Sequence, residues 1–257
     1  FRYTTGAFSM INNITFLFLI VFRSPPSLTP YKLFLGNSAI TDIVFSAATT
    51  FLQCRLIPNK WAFAYVALGP SRFFGEQVSY YTYVLQLHSL FYIFLCFPLS
   101  FGFRYYVLVR PMPTKKQVCL LLFCVWLMPL AQSICFINSQ SDSEKIREYL
   151  AINKPFYNLT GYIITGNHML WQPLTPITLF SIVLPMFPIY LIVIHFGRKV
   201  QGYLDGRESG GLALILQASL PLFFVFPPIT IYLAYHFEFI ELKVIDILGQ
   251  TNICTHQ

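Results

Sequence analysis

The chain has 257 residues, of which 56% are hydrophobic, 18% aromatic and only 11% charged, with a mean hydropathy of +0.60. A soluble domain carries about 25% charged residues, so this chain lacks the polar surface to cover itself in water. The net charge of +7 is no nucleic-acid footprint, because the cations sit at the ends of apolar runs rather than in one patch.

A helix needs about 20 mostly apolar residues to cross a bilayer's hydrocarbon core. Spans are predicted, in chain order, at 5–22, 33–54, 78–101, 118–137, 174–196 and 212–235. The runs are continuous and lack the period-two alternation of lipid-facing strands, so helices rather than a barrel satisfy the backbone. A seventh, degenerate span at 237–254 is interrupted by Glu238, Glu241, Lys243 and Asp246, and then by Gly249-Gln250-Thr251-Asn252. The expected fold is an all-α membrane protein, a single seven-transmembrane helix bundle over residues 1–257 with a short, atypical or incomplete seventh helix. The sequence opens at Phe1 and enters its first span almost at once, which leads us to expect a further segment ahead of it.

The loops alternate in charge. Arg23, Lys32, Arg104, Arg110, Lys115, Lys116, Arg198, Lys199 and Arg207 fall in the set 23–32, 103–117 and 197–211, against only Asp205 and Glu208. The other set is longer and nearly neutral. Short loops rich in Lys and Arg stay cytoplasmic, so the N-terminus is expected outside. The sequon Asn158-Leu159-Thr160 lies in the polar loop 138–172 on the same outer side, a candidate glycosylation site at Asn158. Cys96, Cys119 and Cys124 lie in spans as small apolar residues. Cys54 and Cys135 sit near span ends on the outer side, where a disulfide is sterically open to them.

Polar residues inside the spans are the candidates for function. Asp42 is the one acidic residue in the middle of a good span, and an uncompensated carboxylate there costs at least about 3 kcal/mol. It is expected to face the bundle interior, with Ser38 and Ser46 four residues to either side and Asn37 close by. Such a stripe serves either as a polar switch core or as plain interhelical hydrogen bonding. The third span carries Tyr80, Tyr83, Gln86 and His88 in its upper half, residues suited to an apolar pocket with a few orienting polar groups. For His88 the plainer reading is a buried histidine bonded to a neighbouring helix. Gln132 and Trp171 are further pocket candidates, Trp171 also fitting the aromatic belt at a membrane interface. Arg104, Tyr105 and Tyr106 close the third span as an interfacial anchor or as a partner-binding group. Pro185, Pro188, Pro221, Pro227 and Pro228 can bend the fifth and sixth helices.

No His-Glu-x-x-His, Gly-x-Ser-x-Gly, paired Cys-x-x-Cys or pair of intramembrane aspartates occurs, so no enzyme, metal or cofactor is expected. A transporter of a small solute remains an alternative, since polar groups and broken helices at mid-membrane also describe transport sites. No internal repeat supports it.

Several blocks together resemble one family. Pro30-Tyr31-Lys32, followed by Leu35-Gly36-Asn37-Ser38-Ala39-Ile40-Thr41-Asp42, opens the second span; Leu68-Gly69-Pro70-Ser71-Arg72-Phe73-Phe74-Gly75 precedes the third. Phe103-Arg104-Tyr105-Tyr106 ends the third span, and Leu216-Gln217-Ala218-Ser219-Leu220-Pro221 lies in the sixth. In this order they resemble the nematode seven-transmembrane serpentine chemoreceptors of class d. The resemblance implies a G-protein-coupled receptor for a small molecule or odorant, in a plasma membrane, sensory and ciliary, with a heterotrimeric G protein as partner. It makes the Asp42 stripe a switch and turns Arg104, Tyr105 and Tyr106 toward the G protein. Ser71 stands where the family has a cysteine, so the usual tie from the top of the third helix to the following outer loop is not available. A truncated receptor product that does not signal would share the fold.

Overall fold

The computed structural model describes residues 2–23, 29–59, 61–155, 157 and 159–204. The sixth and seventh spans, their prolines and Asn158 lie outside the described residues. Within them, five long helices run in chain order as α1 (Arg2–Arg23), α2 (Thr29–Leu52), α3 (Glu76–Val109), α4 (Lys115–Ile137) and, after a short α5 (Ser143–Asn153), α6 (Leu174–Leu204). Their positions match the first five predicted spans.

Four of these helices, α1, α3, α4 and α6, are long and apolar enough to cross a membrane. α2 has the length, at 24 residues, but Asn37, Ser38, Thr41, Asp42 and Ser46 dilute its apolar character. Outward-facing side chains support the membrane setting. Ile177, Leu184, Phe187 and Leu191 on α6 and Phe8, Ile11, Phe18 and Phe22 on α1 are all more than half exposed, an apolar surface far larger than a water-exposed protein carries.

α3 is the central helix and packs against α2, α4 and α6, while α1 leans on α2. Phe94 and Phe101 of α3 interlock with Met186, Ile189 and Val193 of α6. Phe34 of α2, Phe103 of α3, and Val118 and Leu122 of α4 form a second layer. Each of α3, α4 and α6 contains proline, at Pro98, Pro129, and Pro185 with Pro188. α4 starts where Thr114-Lys115-Lys116-Gln117 forms a reciprocal capping box: the Gln117 N–H donates to Thr114 Oγ1 and the Thr114 N–H to Gln117 Oε1.

One end of the bundle carries a cap not anticipated from sequence, a three-stranded antiparallel sheet of β1 (Cys54–Asn59), β2 (Ala62–Ala67) and β3 (Ile164–His168). β2 is the central strand and every residue in it is buried. Alternation along the strand explains this. Tyr65 and Ala67 face the bundle and pack with Leu52, Tyr80, Tyr83, Val84 and Phe136. Ala64 and Val66 face the other way, onto Ile146 and Leu150 of α5. The hairpin returns very close to the end of α2. A Cβ at Gly69 would lie 2.3 Å from the Phe51 carbonyl oxygen, and the Gly69 N–H donates to Leu52 O at 3.0 Å. Glycine is required at this approach.

Candidate functional site

The predicted site residues fall into three tiers along the bundle. In the capped tier, the Tyr80 hydroxyl donates to Phe136 O at 2.6 Å and accepts from Asn167 Nδ2 at 2.9 Å. Asn167 also donates to the backbone and side-chain oxygens of Ser139, at 2.7 and 2.8 Å. Tyr83 packs its ring 4.2 Å from that of Tyr65. Tyr80 and Tyr83 therefore join α3 to the sheet and to α4, and line none of the described cavities. Burial pushes the Tyr65 hydroxyl well above its usual pKa.

Ser71 and Ser79 are both fully buried, and Ser79 Oγ donates to Ser71 Oγ at 3.2 Å. This hydroxyl contact ties the turn before α3 to its first turn. Cys54 and Cys135 are not bonded to each other, so the pairing left open by the sequence is not made; Cys54 Sγ instead donates to Gln86 Oε1 at 3.7 Å. Glu76, at the start of α3, accepts from Gln140 Nε2 at 3.2 Å and from Ser143 Oγ, which holds the start of α5.

Trp171 stacks on His168 with ring centroids 3.9 Å apart, and Tyr149 meets His168 edge-on at 4.8 Å. The Leu170 N–H donates to His168 Nδ1 at 3.3 Å, which places the ring proton on Nε2. Burial lowers the His168 pKa from its ordinary 6.5.

The middle tier holds the polar residues of α2. Asn37 faces α3: the Tyr92 hydroxyl donates to Asn37 Oδ1 at 3.2 Å, and Asn37 Nδ2 points to Cys96 Sγ at 3.9 Å. Ser46 faces α1, with its hydroxyl 2.8 Å from that of Ser9. Ser38 turns back to Phe34 O at 3.3 Å. Asp42 is partly buried within Coulombic range of Cys96 and has no hydrogen bond among the described residues. The stripe is thus divided between two neighbours rather than gathered into one cluster. On the far side of α3, His88 Nδ1 lies 3.1 Å from Ser133 Oγ. Ser133 spends its proton on Pro129 O at 2.8 Å, so His88 Nδ1 is the donor. Gln132 is buried, and neither its amide nitrogen nor its oxygen has a partner among the described residues.

A cavity of about 350 Å³ opens between α1, α2 and α3 beneath the sheet, lined by Gln86 together with Ser46, Thr49 and Thr50 of α2 and Gln53 just past its end. Gln86 is the one predicted pocket residue among its walls. Thr49 and Gln53 were missed, although Ser46, Thr49, Thr50 and Gln53 repeat at i, i+3, i+4 and i+7, the spacing of one helix face.

At the opposite end, Arg104 Nη2 donates to Tyr31 of α2 at 3.4 Å, and the guanidinium lies 5.7 Å from the Phe101 ring centroid. Tyr105 packs edge-on against Tyr203 at 6.0 Å, beneath Lys199 at 5.2 Å. Tyr106 is 43% exposed. The three residues lie inside the last turns of α3, which runs on to Val109 rather than stopping near residue 101.

Long apolar helices around a polar seam, capped at one end and basic at the other, define a multi-pass helical membrane protein. The profile of the serpentine type 7TM GPCR chemoreceptor Srd family matches residues 1–210, and the chain belongs to that family. Its relatives include three proteins of Caenorhabditis elegans. Serpentine receptor class delta-19 is 28% identical over 202 residues, 77% of this chain and 59% of the relative. Class delta-33 is 25% identical over 89% of this chain and 71% of its own length, and class delta-18 is 27% identical over 82% and 67%. The chain thus spans less than two thirds of the first of these.

Proposed function

We propose that this chain is a G-protein-coupled chemosensory receptor that takes a small molecule at its capped end and signals at its basic end. The capped end and N-terminus then face outside, and the receptor sits in a plasma membrane, ciliary in a sensory cell. Family membership supports the chemoreceptor class. The observation that carries the mechanism is that hydrogen bonds join α2 and α3 at two heights between the cavity and the basic end. The cavity below the sheet shares Ser46 with the seam, Asn37 and Tyr92 join the two helices at mid-height, and Tyr31 and Arg104 join them at the basic end.

A ligand can shift such a bundle only through unequal contacts with its two states. Asp42, held in the seam without a hydrogen bond among the described residues, is the group whose surroundings differ most readily between packings. Arg104, Tyr105 and Tyr106 then meet the G protein. Tyr80, Tyr83, His88, Gln132 and Trp171 shape and support the capped half around the ligand, and Gln86 touches it.

The test is receptor expression at the cell surface followed by G-protein dissociation on exposure to small odorants. Arrival at the surface with no dissociation, combined with uptake of a radiolabelled solute into proteoliposomes, would move the assignment to a transporter.

A further inference from the structure

We infer that the cavity between α1, α2 and α3 is a binding site for a small, uncharged molecule bearing a hydrogen-bond acceptor such as a carbonyl. This rests on the receptor reading and names the class of ligand.

Three independent observations carry it. First, at about 350 Å³ the cavity is at the low end of the range for small-molecule sites. None of its walls is charged, and a charged ligand would be left without a counter-ion in a medium where that is costly.

Second, two wall residues present hydrogen-bonding atoms with no partner among the described residues. Gln53 is 9% exposed, and among the described residues its Nε2 has no acceptor and the Thr49 hydroxyl no partner. A buried polar group without a partner is costly, because it has given up its hydrogen bonds to water. Among the cavity's other polar walls, Thr50 Oγ1 is spent on Ser46 O at 2.7 Å, and Gln86 Oε1 receives the Cys54 thiol. Among the buried polar atoms of these walls, the open valences are therefore an N–H donor on Gln53 and a hydroxyl on Thr49, four residues apart in the chain. A carbonyl oxygen satisfies both.

Third, Gln53 has φ of +44°, the one positive φ outside glycine among the described residues. This left-handed conformation is strained for a residue with a side chain and persists where surrounding structure over-determines it. Here the Gln53 N–H closes α2 on Thr49 O at 2.8 Å, while the next residue enters β1. The side chain is thereby held at the top of the cavity rather than released with the strand.

The experiment uses the purified protein in lipid nanodiscs with 2-butanone, 2-octanone and acetophenone as probes, and octane, octylamine and octanoate as controls. Thermal stabilisation by at least one ketone, saturating with concentration and absent with the controls, is expected. In Gln53→Met, which keeps the length of the side chain and removes the donor, the affinity should fall by about tenfold, the worth of one hydrogen bond. Gln53→Asn, which keeps the amide and tolerates a left-handed backbone, should recover part of it. Saturable binding by none of the ketones, or equal binding by wild type and Gln53→Met, would overturn the site. Ketone binding without G-protein activation would leave the site standing and remove the receptor reading. Activation by a ketone that is unchanged in Gln53→Met would keep the receptor and remove the site.

Discussion

The Tyr92 hydroxyl sits 3.2 Å from Asn37 Oδ1 and 3.4 Å from Leu122 O, so one proton on α3 serves acceptors on both α2 and α4. Interhelical hydrogen bonds in membranes average about 0.6 kcal/mol, and a shared one at the centre of three helices fixes their register. Tyr92→Phe should lower thermal stability in detergent by roughly 0.5–1.5 kcal/mol while leaving surface expression intact. No loss of stability would show that the contact does not hold the helices together.

Asp42→Leu is expected to leave insertion unchanged or improved, since it removes a carboxylate that costs about 3 kcal/mol at mid-span. Signalling should be lost. Agonist response in Asp42→Leu equal to wild type would refute a switch role for this group.

The cap should respond to acid. His168 is 2% exposed, faces Tyr149, Trp171 and the Leu170 N–H, and has its pKa lowered by burial. Its folded-state pKa lies below the unfolded value, so the unfolded chain takes up a proton first as the pH falls. The stability this group contributes is fully present above about pH 6.5 and declines below it. Hydrogen exchange of β3 amides from pH 7.5 to 5 should accelerate relative to the intrinsic rate, and His168→Gln should flatten that trend. An identical trend in the variant would assign the acid sensitivity elsewhere.

Arg147 donates to Leu159 O and to Tyr162 O, both at 2.7 Å, a fork that fastens the loop after α5. Lysine cannot make both bonds in this geometry. Limited proteolysis of Arg147→Lys should cut within residues 154–163 several times faster than wild type, with the bundle resistant in both.

Topology has a covalent readout. A glycosidase-sensitive mass shift should be present in wild type and absent in Asn158→Gln. Modification of a sequon engineered into residues 103–117 would invert the orientation.

The first five helices were legible because their signal is local: a long apolar run needs no partner to be recognised. The sheet was not, since β2 pairs with β3 across about a hundred residues, with Tyr65 opposite Thr165. Its strands are short, and β1 contains Pro58, which argues against a strand in sequence alone. The same distance hid Asn167, whose partners Ser139 and Tyr80 lie on other elements. Tyr80 and Tyr83 stood out as polar aromatics on one helix face, but periodicity does not say what covers a face, and here the sheet does. Arg104 was readable as a helix-end residue, while its contact with Tyr31 depends on how α2 and α3 cross.

The most direct measurement of the central claim is G-protein dissociation, followed by resonance energy transfer, in cells displaying the protein at their surface and exposed to uncharged small odorants. The account predicts a concentration-dependent response to at least one compound in wild type and its loss in Arg104→Ala at equal surface density. A response that survives in Arg104→Ala, or silence to every compound from protein proven to be at the surface, would contradict it.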